Sequence, residues 1–127
     1  MGLPKQNRLR NPKAFQSVYN RGKRYKSPHL VMLVWWQGNS QTVAQPVQFG
    51  ISVSQKVSKK AVTRNRLKRQ IKAVIRLFLP RMIPGCQVVI VVKRNAAECK
   101  YEHFLRELEQ LLIKAEIIHG YKREHIL

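Results

Sequence analysis

The sequence predicts a single α+β domain in which helices pack on a small sheet. With 127 residues, 44% of them hydrophobic, the chain can bury one core of ordinary size. Apolar residues recur with helical spacing in three segments, and short Val-rich runs lie between those segments. One helical segment lies between two such runs, an order that is typical of a β-α-β unit.

The first helix is predicted to begin at the pair Asn11-Pro12 and to end at Gly22. Asn is a favoured N-cap residue, Pro fits the first helical position, and Gly often follows the last one. Phe15 and Tyr19 lie at i and i+4 and share a face of this helix. Spacing alone favours core packing for both rings, and a groove in which bases stack is the alternative.

Two strands are predicted between this helix and the next. Residues 29–36 are rich in Val and aromatic side chains and predict a strand covered on both sides. Residues 47–54 alternate apolar and small polar residues, and Gly50 marks either a bulge or a close approach of another chain. The polar loop over residues 38–46 fits a hairpin connection between the two strands. A short additional strand is predicted over residues 23–27.

The most informative segment is the basic helix predicted over residues 58–79. Between Ser54 and Arg76 the chain carries nine Lys or Arg and no acid. The apolar stripe of this helix consists of Leu67, Ile71, Val74 and Phe78, and its basic ladder of Arg64, Lys68, Lys72 and Arg76. Like charges at i,i+4 oppose helix formation by ~0.2–0.5 kcal/mol per pair. Because a solvated helix face normally mixes Glu with Lys, we favour a surface that binds a polyanion.

The C-terminal third predicts a central strand and a covering helix. Residues 86–93 contain a continuous apolar run, which indicates a buried strand. Residues 101–118 form an amphipathic helix that Gly120 is expected to end. The whole chain, residues 1–127, is expected to be one domain with flexible ends at residues 1–10 and 120–127.

Charge is distributed unevenly along the chain. The net charge is +19, the sequence contains no Asp, and residues 1–97 hold 20 of the 25 Lys and Arg but none of the six Glu. Such a field implies a nucleic-acid partner and salt-sensitive association. An anionic membrane surface is less favoured, because we expect no exposed Trp or Phe opposite the charges of the basic helix. The chain has neither an apolar run that could span a bilayer nor an apolar signal segment, so we expect a cytoplasmic protein.

The residues of a self-contained nuclease are not evident, so we predict neither a catalytic residue nor a metal site. Metal-dependent nucleases hold their ions with carboxylates, and no acid precedes Glu98. Metal-free cleavage would use a pair of His, or a His with a Lys, around one phosphate, and the four His are scattered along the chain. Cys86 and Cys99 are not in a CxxC pattern and are expected to be reduced. An autonomous nuclease therefore ranks low, whereas a ribosomal protein or a general RNA chaperone stays open.

Two motifs and their order resemble one known family. The run F-G-I-S-V-S-Q-K-V at Phe49–Val57, followed by R-N-R-L-K-R at Arg64–Arg69, resembles the protein subunit of bacterial ribonuclease P. The segment Asn7–Gly22 is similar to the first helix of that family. The resemblance covers nearly the whole chain. It implies an α/β sandwich, with a mostly antiparallel sheet of three to four strands and a left-handed crossover through the basic helix.

The resemblance also implies a function and two RNA-binding surfaces. In such a ribonucleoprotein, the RNA subunit and Mg²⁺ that it holds remove the 5′ leader of precursor transfer RNA. The surface for the catalytic RNA subunit would consist of Lys60, Arg64, Asn65, Arg66, Lys68, Arg69 and Lys72. The cleft for the leader would consist of Phe15, Tyr19, Leu33, Trp35, Ser52, Ser54, Lys56, Lys93 and Arg94. Leu33 stands where that family often has an aromatic residue, and Trp35 or Trp36 is expected to compensate. The expected partners are the RNA subunit and precursor transfer RNA, not a membrane or a small-molecule substrate.

Overall fold

The computed structural model describes residues 2–37 and 45–119. Its strands are β1 (Lys23–Lys26), β2 (Leu30–Trp36), β3 (Gln48–Ser52) and β4 (Cys86–Val92), and its helices are α1 (Pro12–Arg21), α2 (Ala61–Phe78) and α3 (Tyr101–Lys114). Single 3-10 turns lie at Lys5–Asn7, Leu79–Arg81 and Arg94–Ala96. The predicted α+β class is confirmed, as is the short additional strand after α1.

The four strands form one sheet in the order β1-β2-β4-β3. Strand β2 runs antiparallel to both β1 and β4, whereas β3 runs parallel to β4. The mostly antiparallel sheet and the central position of β4 therefore agree with the prediction. The predicted hairpin between β2 and β3 is wrong, because β4 lies between these two strands. Residues 38–44 of the predicted loop lie outside the described residues, and the left-handed sense of the crossover stays a prediction.

Helices cover both faces of the sheet, which gives the sandwich. Helices α2 and α3 cover the face that contains Met32, Val88 and Ile90, and all three are fully buried in the larger core. Helix α1 covers the opposite face, where Val18 packs with Leu33 in a smaller cluster. The sheet thus lies between α1 on one face and α2 and α3 on the other.

The ends of α1 show why this helix begins and stops where it does. Asn11 caps the N-terminus, since its Oδ1 accepts a hydrogen bond from the Lys13 amide at 2.8 Å. Gly22 follows the last turn with φ −68° and ψ 151°, which any residue adopts. A glycine is needed at this position because a larger residue does not fit. An added Cβ would lie 2.5 Å from the Val18 carbonyl oxygen and 3.2 Å from the Val34 nitrogen. Gly22 therefore lets the end of α1 pack closely on β2.

Helix α3 ends at Lys114, earlier than the predicted end near residue 118. Glu116 adopts φ 62°, a left-handed conformation that stops the helix. Ile117 and Ile118 after it are nevertheless buried in the larger core. The apolar pattern thus continues past the helix, which is why helical spacing alone overestimated its length. Gly120 and the predicted flexible tail, residues 120–127, lie outside the described residues.

The N-terminal segment packs against the sheet, although residues 1–10 were expected to be flexible. Leu3, Asn7 and Leu9 are buried. The Leu9 amide donates to the Phe49 carbonyl oxygen at 3.0 Å, and the Asn7 side chain donates to the Val47 carbonyl oxygen at 2.8 Å. This segment covers part of the outer edge of β3, whose backbone groups would otherwise lack partners. Across residues 2–37 and 45–119, no helix is long and apolar enough to cross a membrane.

Candidate RNA interface

Helix α2 presents its basic side beside a fully buried apolar stripe. The predicted stripe is confirmed, since Leu67, Ile71, Val74 and Phe78 are all buried. Lys60 is the N-cap residue and makes no side-chain capping bond. With no acid in the first turn, the positive end of the helix dipole adds to the charge of the nearby Lys and Arg.

Two of the arginines that are predicted to contact RNA also donate hydrogen bonds to backbone carbonyls within the protein. Arg64 donates from Nη1 to the Ser58 carbonyl oxygen at 2.9 Å, and Arg66 donates from Nη2 to the Ala97 carbonyl oxygen at 2.6 Å. A guanidinium has five N–H donors, so each side chain keeps donors for a ligand. The two residues therefore combine a structural contact with a charged surface.

The remaining predicted residues of α2 divide by exposure. Lys60, Asn65 and Arg69 are exposed, whereas Lys68 and Lys72 are half-buried and line a pocket beside β3. Within the part of the chain that the structure describes, the ion pair is His29–Glu107, which lies outside this group. The Lys and Arg of this group therefore have no carboxylate partner among the described residues.

Phe15 lies at the edge of the sheet, over β3. An added Cβ at Gly50 would be 2.5 Å from Cε2 of the Phe15 ring. The group that lies close to Gly50 is therefore a ring of the same chain, not another chain, and the continuous register of β3 with β4 shows no bulge there. Phe15 is half-buried, so its ring both packs on the sheet and faces outward.

Two cation–aromatic pairs lie near the C-terminal end of α1. Tyr19 is 42% exposed, and the Arg24 guanidinium lies 5.9 Å from its ring centroid. The Arg21 guanidinium lies 5.3 Å from the centroid of the half-buried Trp35. Such pairs offer flat π-faces and positive charge together, as sites for single-stranded nucleic acid do. The sequence-based site omitted both arginines, although their position directly after the aromatic face of α1 was a usable signal.

Leu33 does not line an open cleft, contrary to its predicted role. It is 1% exposed and packs beneath α1 against Val18 and Val89. The helix lies over this position, so no ligand reaches the side chain. Trp35, two residues further on the same face of β2, is the partly exposed aromatic residue there, whereas Trp36 lies on the other face.

The polar residues of the predicted cleft lie along a different part of the sheet. Ser52 pairs with Val91 of β4, and both are half-buried on the face that α1 partly covers. Lys93 follows on the same side of β4, and its Nζ donates to the Ser27 carbonyl oxygen at 2.7 Å. Ser54, Lys56 and Arg94 are exposed in the connections beyond these strands. Ser52 thus lies in the sheet and Lys93 directly after β4, Ser54, Lys56 and Arg94 lie beyond the strands, and the leader cleft stays a prediction.

An acid-containing cluster, which the sequence did not predict, lies on the opposite side of β1 and β2. Glu107 is 8% exposed, and its carboxylate accepts hydrogen bonds from the Ser27 hydroxyl at 2.5 Å and the His29 amide at 2.9 Å. The His29 ring nitrogen Nδ1 lies 2.5 Å from the second carboxylate oxygen. Burial raises the pKa of Glu107, but the hydrogen bonds from Ser27 and His29 together lower it by more. The net effect is a pKa below the ordinary value. The position of Glu107, three residues after Phe104 on the apolar face of α3, was the available signal.

Two of the four His come together in this cluster, although the sequence placed them far apart. The His29 and His103 ring centroids are 5.8 Å apart, and the rings meet edge to face. Rings in direct contact leave no gap for a phosphate, and Nδ1 of His103 accepts a hydrogen bond from the Lys100 amide. The cluster therefore does not have the geometry of a His pair that cleaves RNA.

The two thiols have the properties of structural residues. Burial raises the pKa of Cys86 to about 12. Burial and, secondarily, the charge of Glu107 raise the pKa of Cys99, and Arg66 opposes this shift. Since the thiolate is the reactive form, neither side chain is set up as a nucleophile. The described ranges contain no group of three or more His, Cys, Asp or Glu that could hold a metal ion.

Comparisons with known proteins give one consistent set of relatives. The family model described as Ribonuclease P matches residues 3–116. The ribonuclease P protein component of Rippkaea orientalis is 60% identical over 127 residues, covering 100% of both chains. That of Microcystis aeruginosa is 54% identical over 121 residues, covering 95% of this chain and 100% of its own.

Solved structures show the same fold. The Staphylococcus aureus RNase P protein superposes with a TM-score of 0.77 at 23% identity, covering 91% of this chain and 100% of its own. The Thermotoga maritima RNase P protein gives a TM-score of 0.72 at 23% identity, covering 84% of this chain and 96% of its own. The fold is therefore shared even where sequence identity is low.

Proposed function

The chain belongs to the ribonuclease P protein family, and from this premise we propose that it binds the catalytic RNA subunit of ribonuclease P and the 5′ leader of precursor transfer RNA. The observation that carries the proposal is the acid-free basic surface of α2, on which Lys68, Arg69 and Lys72 lack carboxylate partners among the described residues. A ribosomal protein or a general RNA chaperone is not favoured, because the family match extends over residues 3–116.

The surface for the RNA subunit lies on α2. Lys60, Asn65 and Arg69 are exposed there, and Arg64 and Arg66 keep free N–H donors beside them. Folded RNA offers mainly phosphates and 2′-hydroxyls to a protein, and these groups match Lys and Arg. Neutralising several crowded phosphates would also lower the concentration of divalent ions that the RNA requires.

The surface for the leader is the aromatic side of α1 with the adjoining sheet. Tyr19 and Trp35 offer rings to unpaired bases, and Arg21 and Arg24 lie beside those rings. A base stacked on an aromatic side chain contributes ~1–3 kcal/mol. Since the mature product has no leader, these contacts would raise the affinity for the precursor above that for the product.

Hydrolysis is assigned to the RNA subunit and Mg²⁺. Mg²⁺ prefers carboxylate and phosphate oxygens, whereas Lys and Arg dominate both surfaces of the protein. The protein side chains therefore do not fit the ion, and RNA phosphates are the ligands we expect. Within this division of labour the protein supplies binding energy and charge neutralisation, in the cytoplasm where precursor transfer RNA would be processed.

The proposal is tested with a ribonuclease P RNA and a leader-bearing transfer RNA precursor at low Mg²⁺. We expect the protein to stimulate 5′ cleavage under conditions in which the RNA alone is slow. A basic protein of similar size and charge, but of another fold, serves as the control for charge alone. Equal stimulation by the control, or cleavage by the protein freed of RNA, would contradict the proposal.

A further inference from the structure

The turn between β1 and β2, residues 27–29, is held from both faces of the sheet. On the face that α3 covers, the Glu107 carboxylate accepts hydrogen bonds from the Ser27 hydroxyl at 2.5 Å and the His29 amide at 2.9 Å. On the face that α1 partly covers, the Lys93 Nζ donates to the Ser27 carbonyl oxygen at 2.7 Å. Ser27 therefore joins the two side chains across the sheet, with its hydroxyl on one and its backbone on the other.

Glu107 places a carboxylate on the buried side of α3, where it is 8% exposed. Burying a carboxylate is unfavourable unless it is hydrogen-bonded, and a well-packed apolar residue often gives equal or greater stability. Hydrogen bonds fix the direction of the groups that they join, whereas apolar contacts do not. The chemistry of Glu107 is therefore suited to orienting the turn, including the Ser27 carbonyl, and not only to anchoring it on α3.

Lys93 is ordered by this turn before any ligand binds. A long side chain that becomes ordered only on binding lowers the affinity, because its conformational freedom is lost at that moment. The Lys93 amino group is already held by the Ser27 carbonyl oxygen, and an ammonium has three N–H donors, so two remain for a ligand. Within residues 2–37 and 45–119, no carboxylate pairs with it. An anion is therefore the ligand that this amino group suits.

We infer that Glu107 and Ser27 are positioning residues, which orient the turn so that the Ser27 carbonyl holds Lys93 in place for one phosphate of the leader. This inference rests on the proposed function, because the phosphate belongs to precursor transfer RNA. The resemblance gives a role to Lys93 but none to Glu107 or Ser27. Neither positioning residue touches the RNA, since Glu107 acts from the opposite face of the sheet and Ser27 acts through Lys93.

A purely structural role for Glu107 leads to a different expectation. If the carboxylate only anchored the turn to α3, its loss would weaken leader binding by the same factor whether or not Lys93 is present. If it positions Lys93, its effect on leader binding must disappear once the Lys93 charge is removed. A double-mutant cycle separates these two cases.

The test measures the ratio of precursor affinity to mature transfer RNA affinity in holoenzymes, with RNA-subunit affinity as a parallel measurement that should not change. Lys93→Met should lower the ratio about tenfold, the loss of one charge-assisted hydrogen bond. Ser27→Ala should lower it about fivefold, because Lys93 must then be ordered on binding. Ser27→Thr keeps the hydroxyl and should keep the wild-type ratio.

The Ser27→Ala and Glu107→Gln substitutions are then combined with Lys93→Met. Neither should lower the ratio further in that background. Glu109→Gln, a substitution of a half-exposed residue on the same helix, serves as the control and should leave the ratio unchanged in both backgrounds. Urea unfolding of each variant sets a temperature at which all of them are folded. If Glu107→Gln is too unstable to assemble, the two Ser27 variants decide the test.

The inference is overturned if Ser27→Ala lowers the ratio as strongly with Lys93→Met as without it. It is also overturned if Ser27→Ala keeps the wild-type ratio, or if Lys93→Met does. A wild-type holoenzyme without any preference for precursor would instead contradict the proposed function itself, so the two failures are distinguishable in one set of measurements.

Discussion

The charges around Glu107 and the charges along α2 are arranged in opposite ways. Glu107 is buried and accepts hydrogen bonds from Ser27 and His29, so its charge is satisfied within the protein. Arg69 and Lys72 lack any carboxylate partner among the described residues. A buried charge without a partner lowers the stability of the fold strongly, whereas exposed charges change that stability little. Exposed charges can therefore stay unpaired within the protein. We therefore expect charge pairing to distinguish the residues that maintain the fold from those that bind RNA.

The largest predicted effect is the salt dependence of binding. RNA-subunit affinity should fall ~10³–10⁵-fold between 50 and 200 mM salt if six to ten phosphates are contacted, because counterions are released on binding. The free energy of unfolding should stay constant or rise over the same range, since salt screens repulsion among the cations. Filter binding and urea unfolding measure the two quantities. An RNA-subunit affinity that does not change with salt would show that the cations of α2 differ from the charges around Glu107 in no way that matters for RNA binding.

Glu107→Gln should lower the free energy of unfolding by about 3 kcal/mol, because it removes the charge that His29 and Ser27 contact. Urea unfolding at neutral pH measures the change. Glu109→Gln is the matched control, since Glu109 lies on the same helix and is half-exposed. We expect less than ~0.5 kcal/mol for the control. A similar loss in both variants would show that the pairing of Glu107 does not matter.

Gly50→Ala should cost ~1–3 kcal/mol of unfolding free energy, because the new Cβ would lie 2.5 Å from the Phe15 ring. The displaced ring should also weaken leader binding while leaving RNA-subunit binding unchanged. Gly2→Ala provides the control, since the nearest heavy atom to its added Cβ is the Arg8 Nη2 at 3.7 Å. Full leader affinity in Gly50→Ala would place Phe15 outside the leader site.

The smallest predicted effect is a dependence of stability on pH. The pKa of Glu107 is lowered from its ordinary value of 4.5. The stabilisation from its ionised form is therefore fully present above about pH 4.5 and is lost as the pH falls through the lower, folded-state pKa. Unfolding free energies measured from pH 7 down to pH 3 should fall more steeply in the wild type than in Glu107→Gln. Identical slopes would contradict this assignment.

Local patterns in the sequence predicted most elements, and long-range packing explains the rest. Helical spacing identified the buried stripe of α2, and the apolar run of residues 86–93 identified the central strand. The prediction of a hairpin between β2 and β3 was wrong because β4, which comes later in the chain, lies between them. Leu33 was assigned to the cleft because it stands where the resembling family often has an aromatic residue, and the sequence does not show that α1 lies over it.

The sequence predicted which residues belong to the site, but not which of them lie together. The sequence identified the cations of α2 and the aromatic residues of α1. It did not show that Lys72 and Phe15 line one pocket with Arg8, because that meeting depends on how α1, α2 and the N-terminal segment pack around β3. The contact of Arg66 with the Ala97 carbonyl oxygen was hidden for the same reason.

The most direct test measures the unfolding free energy and the RNA-subunit affinity of Arg69→Gln and Glu107→Gln side by side. The prediction is that Arg69→Gln loses about tenfold in affinity and keeps its stability, whereas Glu107→Gln loses about 3 kcal/mol of stability and binds normally while folded. Normal RNA binding by Arg69→Gln together with lost binding by folded Glu107→Gln would contradict it.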